Sequence, residues 1–143
     1  SLRSLKTDYI DMVLVHSDGN DADIIHNSAA LQTLADLKQR GWIRAFGMST
    51  KTVEGGLLAA AQSDVVMVTY NLNERDDVAV LDYCRDHKKG VLIKKALASG
   101  HRCDGDAVAE ALAMIFAHAG TSAAIVGTIN PGHLRDNVGK LPL

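Results

Sequence analysis

Residues 122–139 read S-A-A-I-V-G-T-I-N-P-G-H-L-R-D-N-V-G, and the interpretation of the whole chain starts from this stretch. The apolar run 123–126 ends at Gly127. Asn130 is a preferred N-cap, and Pro131 is favoured at the first helical position because its missing N–H would have no partner there. The pattern predicts a buried strand, a tight turn and a short helix.

The predicted helix carries Leu134 and Val138 four residues apart on one face, and Gly139 indicates its end. Unpaired N–H groups and the positive end of the helix dipole favour an anion at its beginning. A short helix after the last strand of a (β/α) barrel is a recurrent phosphate site. An ordinary strand–helix connection has the same pattern, so both interpretations stay open at this point.

Four further strand patterns precede this one, starting near residues 9, 43, 65 and 91. Helical patterns follow them over residues 24–40, 52–62, 77–89 and 106–119, with a loop over 96–105. This alternation predicts a parallel sheet with right-handed crossovers. A doubly wound sheet fits the 143 residues comfortably, whereas a (β/α)₈ barrel takes roughly 250.

The beginning of the chain favours a truncated barrel. Residues 1–6 lack an initiating Met and place Arg3 and Lys6 where a helix end carries basic residues, so we expect a fragment that starts within a helix. We predict a single domain over residues 1–143.

Composition excludes several classes of function. The net charge of −2, with dispersed Lys and Arg, implies no nucleic-acid binding. No apolar run is long enough to span a bilayer, and no signal peptide is visible. Cys84 and Cys103 form no redox or metal motif, so we expect no metal site and a cytoplasmic location.

Polar residues collect at the predicted carboxyl ends of the strands, where parallel α/β proteins place their sites. His16 can donate a hydrogen bond to a carbonyl or move a proton, and Lys94 or Lys95 can bind an anion or act as a base. Each of these residues has a simpler alternative role. The histidine can serve only as a hydrogen-bond partner of backbone groups, and a lysine can lie in solvent. Ser49 and Thr50, which end the second strand, can hold a ligand or only cap the next helix. The chain contains no dinucleotide-binding glycine fingerprint, P-loop or nucleophile elbow.

Taken in order, five segments resemble the C-terminal half of an aldo-keto reductase, from the fourth to the eighth strand. These segments are residues 4–11 with 13–16, 41–49, 70–72, 92–100, and 125–128 with 134–137. The resemblance covers nearly the whole chain and implies an α/β fold, a partial (β/α)₈ TIM barrel of about five β/α units. It selects the barrel over the doubly wound sheet.

The resemblance also implies an NAD(P)H-dependent aldehyde or ketone reductase, in which a hydride passes to the carbonyl carbon and a tyrosine donates the proton. His16 falls on the family's catalytic histidine, which orients the carbonyl, and Ser49 falls on the residue that binds the nicotinamide carboxamide. The cofactor-binding positions implied in this way are Ser49, Thr50, Met67, Lys94, Leu97, Ser99, Gly127, Thr128, Asn130, His133, Asp136 and Asn137.

Several of these positions depart from the family's usual residues. The family usually has Asn at the position of Thr50 and often has Gln at that of Met67. Many members have, at the position of Lys94, a Tyr that stacks on the nicotinamide. Gly127 and His133 stand where NADP-preferring members often carry basic residues. NADP is favoured by the resemblance, and NAD stays open.

The family's Asp, Tyr and Lys belong to the half that this chain does not match. The alternative function is therefore a catalytically weak, cofactor-binding barrel that acts as a sensor or partner subunit. Five open parallel strands leave unpaired edges, so we expect the missing N-terminal half-barrel or self-association to cover them. The expected small-molecule partners are a carbonyl substrate and a nicotinamide dinucleotide.

Overall fold

Five parallel strands form one open sheet in the computed structural model, which describes residues 1–97 and 105–142. The strands are β1 (Ile10–His16), β2 (Ile43–Ser49), β3 (Val65–Thr69), β4 (Gly90–Lys94) and β5 (Ala123–Ala124). They lie side by side in the order β1-β2-β3-β4-β5. This sequential order is that of a barrel segment, because a doubly wound sheet reverses its strand order at a switch point.

Seven helices accompany these strands in the described part of the chain. They are α1 (Leu2–Leu5), α2 (Asp21–Asn27), α3 (Ala30–Gln39), α4 (Val53–Gln62), α5 (Val78–Asp86), α6 (Gly105–Ala117) and α7 (Pro131–Val138). At least one helix follows every strand, as the alternating pattern predicts. Within residues 1–97 and 105–142, none of the helices combines the length and the apolar character needed to cross a bilayer.

One predicted helix is wrong in its extent. The pattern over residues 24–40 is interrupted at Ser28, so that α2 and α3 are separate helices. The Ser28 hydroxyl donates to the Ile24 carbonyl oxygen at 2.6 Å and accepts from the Ala30 N–H at 3.2 Å. Ser28 has an extended backbone with ψ 155°, and its side chain replaces the helical hydrogen bonds lost there. The apolar periodicity hides this local competition.

The core lies between one face of the sheet and the helices. Met48, Val66 and Val91 pair in register across β2, β3 and β4, and all three are fully buried. Val80 and Leu81 of α5 belong to the same buried cluster. Because side chains alternate along a strand, the residues that follow these three in sequence face the opposite side of the sheet.

That opposite face carries one aligned row, which begins at the carboxyl ends of β1 and β2 and reaches the first residue of β5. The row consists of His16, Ser49, Met67, Leu92 and Ala123, one residue from each strand. The strand β5 is two residues shorter than the predicted run 123–126, although the N–H of Ile125 still donates to the Ile93 carbonyl oxygen at 2.8 Å. The fold thus brings the five strand ends to one edge.

Candidate cofactor and active site

A polar cavity of about 530 Å³ opens at the carboxyl ends of β1 to β4. The residues that line it come from these strand ends and from the loops that follow them: His16, Lys51, Thr52, Val53, Thr69, Glu74, Asp76, Asp77, Lys94 and Lys95. The imidazole of His16 is exposed at the rim. The predicted gathering of polar groups at this edge therefore includes His16 and both lysines.

Lys94 is the last residue of β4, and its side chain crosses β3 to reach the end of β2. Its Nζ donates to Ser49 Oγ at 3.2 Å and to the carbonyl oxygen of Thr50. Burial lowers the pKa of the Lys94 ammonium, while the nearby Asp77 carboxylate acts in the opposite direction. Lys95 takes a left-handed backbone conformation with φ 53° and is exposed. Of the two lysines, Lys94 is thus the one held against Ser49.

Asp77 lies close enough to Lys94 for their charges to interact. Its Oδ2 accepts a hydrogen bond from the Thr69 N–H at 3.1 Å, which ties the start of α5 to the end of β3. Burial raises the pKa of the Asp77 carboxyl, while the Thr69 hydrogen bond and the Lys94 charge counteract that rise. The pair places one negative and one positive group on the same half-buried wall of the cavity.

Asn71 fixes the loop between β3 and α5 and is almost completely buried. Its Nδ2 donates to the carbonyl oxygen of Lys95 at 3.2 Å, and its Oδ1 accepts from the N–H groups of Asn73 and Glu74, each at 2.9 Å. These three side-chain hydrogen bonds are all to backbone groups, so Asn71 holds the loop after β3 against the end of β4.

The loops after β1 and β2 are joined through Asp21, which is only 2% exposed. Its Oδ2 accepts from the Lys51 N–H at 2.9 Å, the Thr52 N–H at 2.8 Å and the Thr52 hydroxyl at 2.7 Å. Burial by itself would raise the pKa of Asp21, but hydrogen bonds from the Ser17 and Thr52 side chains and from backbone N–H groups hold it below its ordinary value. Lys51 Nζ also donates to the Asp18 carbonyl oxygen at 3.0 Å.

Sequence reasoning missed the roles of Asp21, Asn71 and Asp77. In the sequence, Asp21 and Asp77 look like ordinary acidic residues near helix starts, and Asn71 looks like a turn residue. Their partners are 8 to 31 residues away along the chain. Only the turn-forming character of Asn71 left a local signal.

The beginning of α7 has the predicted cap. Asn130 Oδ1 accepts from the Gly132 N–H at 2.8 Å, and Thr128 Oγ1 accepts from the Asn130 N–H at 3.2 Å. The sequence prediction of an N-cap at Asn130 and a first helical residue at Pro131 is confirmed. Gly139 follows the helix as predicted but in a right-handed conformation, φ −65° and ψ −12°.

Several backbone donors remain open beside this cap. Within residues 1–97 and 105–142, the N–H groups of Thr128, Ile129 and His133 have no hydrogen-bond partner. A Cβ added to Gly127 would meet no atom within 4 Å. The turn between β5 and α7 therefore offers free N–H groups next to open space, which suits an anionic group.

The structure places the other sequence-predicted residues at different points of the sheet and of α7. Met67 is half-buried in the aligned row, Leu97 is half-buried after β4, and Asp136 is exposed on α7. Asn137 lines an apolar groove beside Leu134. Ser99 lies outside the described residues, as does most of the predicted loop 96–105.

A nicotinamide dinucleotide fits the chemistry of these groups. Its carboxamide needs a donor and an acceptor, and its phosphates need N–H groups or cations. Ser49 supplies a hydroxyl at the centre of the sheet edge, and the buried Thr50 Oγ1 has no partner among the described residues. Among residues 1–97 and 105–142, no group of three or more His, Cys, Asp or Glu is placed to hold a metal ion.

Comparison with known proteins agrees with this reading of the fold. The model of the aldo/keto reductase family matches residues 1–105. The chain belongs to the aldo/keto reductase family. Its open five-stranded sheet is accordingly part of a (β/α)₈ barrel.

Individual relatives give the same result. The chain is 34% identical to the aldo-keto reductase YhdN of Bacillus subtilis over 103 residues. This match covers 70% of the present chain and 30% of YhdN. A solved Pseudomonas aeruginosa protein assigned to the aldo-keto reductases is 53% identical, with a TM-score of 0.90 over 97% of this chain and 53% of that one. An aldo/keto reductase from Klebsiella pneumoniae, solved with NADP and acetate, is 25% identical, with a TM-score of 0.72 over 99% of this chain and 56% of that one.

The chain spans about half the length of these solved relatives and about a third of the curated one.

Proposed function

We propose that the polypeptide containing this chain is an NAD(P)H-dependent reductase of aldehydes or ketones, and that this chain contributes the catalytic histidine and most of the cofactor site. The observation that carries the proposal is the register of β1 and β2 at the carboxyl edge of the sheet. It sets His16 directly beside Ser49, on the edge at which the open N–H groups before α7 also lie.

His16 binds the substrate in this proposal. Its imidazole is exposed at the rim of the 530 Å³ cavity and can donate a hydrogen bond to a carbonyl oxygen. Such a bond would orient the carbonyl and stabilise negative charge that develops on its oxygen. Because Ser49 is its register partner on β2, a carbonyl held by His16 lies next to whatever Ser49 holds.

Ser49 and the turn before α7 hold the two ends of the cofactor. A bound nicotinamide supplies the hydride for the reduction. Ser49, together with Thr50 and Met67, would hold the carboxamide end, and Gly127, Thr128 and Asn130 would contact phosphate through the open turn. His133, Asp136 and Asn137 on α7 would contact the adenosine. Leu97 is a further proposed cofactor contact, as is Ser99, which lies outside the described residues.

The proposal favours NADP over NAD. His133 and Arg135 are both exposed on α7 and can meet a 2′-phosphate. The Klebsiella pneumoniae relative was solved with NADP. The proton donor of the family, a tyrosine with Asp and Lys partners, corresponds to no residue of this chain, so we propose that the rest of the polypeptide supplies it.

The test is made on the full polypeptide, with fluorescence titration by NADPH and NADH and with turnover of an aldehyde followed by cofactor absorbance. Replacement His16→Gln should lower kcat by about a hundredfold or more, the range for loss of a positioned acid–base group, with cofactor Kd within about twofold. The matched control His26→Gln, on the exposed side of α2, should leave both unchanged. Failure of both cofactors to bind, or full activity of His16→Gln, would contradict the proposal.

A second function is supported by the departures at the cofactor site. The Lys94 ammonium already donates a hydrogen bond to the Ser49 hydroxyl oxygen, which a carboxamide N–H would otherwise use. Met67, the register partner of Ser49 on β3, has no side-chain amide to bind the carboxamide. A barrel that binds cofactor and reduces little would serve as a sensor or partner subunit. Tight cofactor binding without turnover of any carbonyl compound tested, from a polypeptide whose early strands carry no tyrosine donor, would favour this second function.

A further inference from the structure

The Lys94 ammonium stands at the place where the proposed site would receive the nicotinamide ring. It is half-buried, it comes from the strand two positions away from Ser49, and it makes two hydrogen bonds at the end of β2, to Ser49 Oγ and to the Thr50 carbonyl oxygen. These contacts hold a positive charge within one hydrogen bond of the hydroxyl that would bind the carboxamide.

The contact also fixes the direction of the Ser49 hydroxyl. Lys94 is a pure donor, so Ser49 Oγ must act as the acceptor in this bond. The Ser49 proton is then left to donate elsewhere, and a carboxamide oxygen is a suitable acceptor. Lys94 thus both prepares Ser49 and brings its charge close to the group that Ser49 holds.

We propose that Lys94 makes this site discriminate between the two redox states of the cofactor and bind the reduced nicotinamide more tightly than the oxidised one. The inference rests on the proposed function. The oxidised nicotinamide ring carries one positive charge and the reduced ring carries none, while the rest of the two molecules is identical. A fixed ammonium beside the ring therefore repels only the oxidised form.

Other titratable groups line the cavity or interact electrostatically with Lys94, and they set the background for this effect. The groups that line the cavity are His16, Lys51, Glu74, Asp76, Asp77 and Lys95, and the buried Asp21 interacts with Lys94 without lining the cavity. The Asp77 carboxylate offsets part of the Lys94 charge. Since all of them are present when Lys94 alone is replaced, the difference between wild type and variant isolates the contribution of Lys94.

A unit charge beside the ring, screened by water at a half-buried site and partly offset by Asp77, should give a ratio of about five- to tenfold between the two Kd values. The experiment is fluorescence and calorimetric titration of the full polypeptide with NADPH and NADP⁺ separately. Lys94→Met should reduce the ratio Kd(NADP⁺)/Kd(NADPH) by about five- to tenfold, and Lys94→Arg should preserve it. The control Lys88→Met removes an exposed lysine before β4 and should not change the ratio.

A pH series on the wild type provides a readout that a merely structural role would not change. Because burial lowers the Lys94 pKa, the ratio should fall as the pH rises through that pKa, at a lower pH than an ordinary lysine would require. In Lys94→Met that decline should be absent. An unchanged ratio in Lys94→Met, with both cofactors still bound, overturns this inference and leaves the proposed function intact, whereas a wild type that binds neither cofactor overturns both.

Discussion

The carboxylate of Asp21 is the most consequential single group that holds the candidate site together, and its replacement gives the sharpest stability prediction. Asp21→Ala removes the acceptor of three hydrogen bonds while keeping the Cβ, which packs closely against Gly55 of α4. The carboxylate also lies against Gly55, so the loss reports its hydrogen bonds together with this contact. A matched control is Asp23→Ala on the exposed side of the same helix, where the carboxylate accepts a hydrogen bond from the Asn27 side chain and from no other described residue.

The magnitude follows from the number and type of these bonds. A hydrogen bond to a charged group contributes about 1.5–3 kcal/mol, and the exposed backbone of Lys51 and Thr52 can recover part of that through water. We expect Asp21→Ala to lower the free energy of unfolding by about 3 kcal/mol, and Asp23→Ala by less than about 0.5 kcal/mol. Asp21→Asn keeps an acceptor oxygen and should lie between the two.

The assay is urea unfolding of the full polypeptide at several pH values. The pKa of Asp21 is lower in the folded state than the ordinary value, so the charged form is favoured by folding. Its stabilisation is therefore complete above the unfolded-state pKa and is lost as pH falls through the folded-state pKa. The difference between wild type and Asp21→Ala should be constant near neutrality and shrink in acid. Equal losses for Asp21→Ala and Asp23→Ala, or a difference independent of pH, would refute this reasoning.

Three further predictions concern packing, thiol reactivity and assembly. Gly47→Ala should lower the free energy of unfolding in urea by about 3 kcal/mol, because the added Cβ would lie 1.6 Å from the Val65 carbonyl oxygen. Gly127→Ala, with open space around the added Cβ, should leave that free energy nearly unchanged. Similar stabilities of the two variants would contradict this prediction. Cys84 is fully buried with its pKa raised to about 11, so alkylation at neutral pH, followed by peptide mass mapping, should be about a hundredfold slower than in denaturant; equal rates would contradict it. The 143-residue chain produced alone should sediment as a dimer or larger species, because β1 and β5 are the edge strands of the described sheet and the side chains of Met12 in β1 and Ile125 just after β5 are exposed. A monodisperse monomer with a cooperative melt would speak against this.

The parallel sheet was predictable because its strands are short apolar runs with clear glycine and polar ends. The cap at Asn130 was predictable for the same reason, since capping depends on neighbours in sequence. Strand order was not available from periodicity, which fits a doubly wound sheet equally well. The family resemblance supplied it, and the sequential order of the strands confirms the barrel segment.

The location of the candidate site could be predicted from the sequence, but the hydrogen bonds between its side chains could not. The rule that sites lie at the carboxyl ends of parallel strands identified the edge with His16, Ser49 and Lys94. The bond from Lys94 to Ser49 joins residues 45 positions apart and depends on the register of three strands. The break at Ser28 was missed because one hydroxyl outweighs a continuous apolar pattern.

The most direct measurement is a crystal structure of the full polypeptide with NADPH. The account predicts that the dinucleotide lies along the carboxyl edge, with its carboxamide hydrogen-bonded to Ser49 and its adenosine end beside the start of α7. A dinucleotide bound elsewhere, or one whose nicotinamide lies away from Ser49 and His16, would contradict the account.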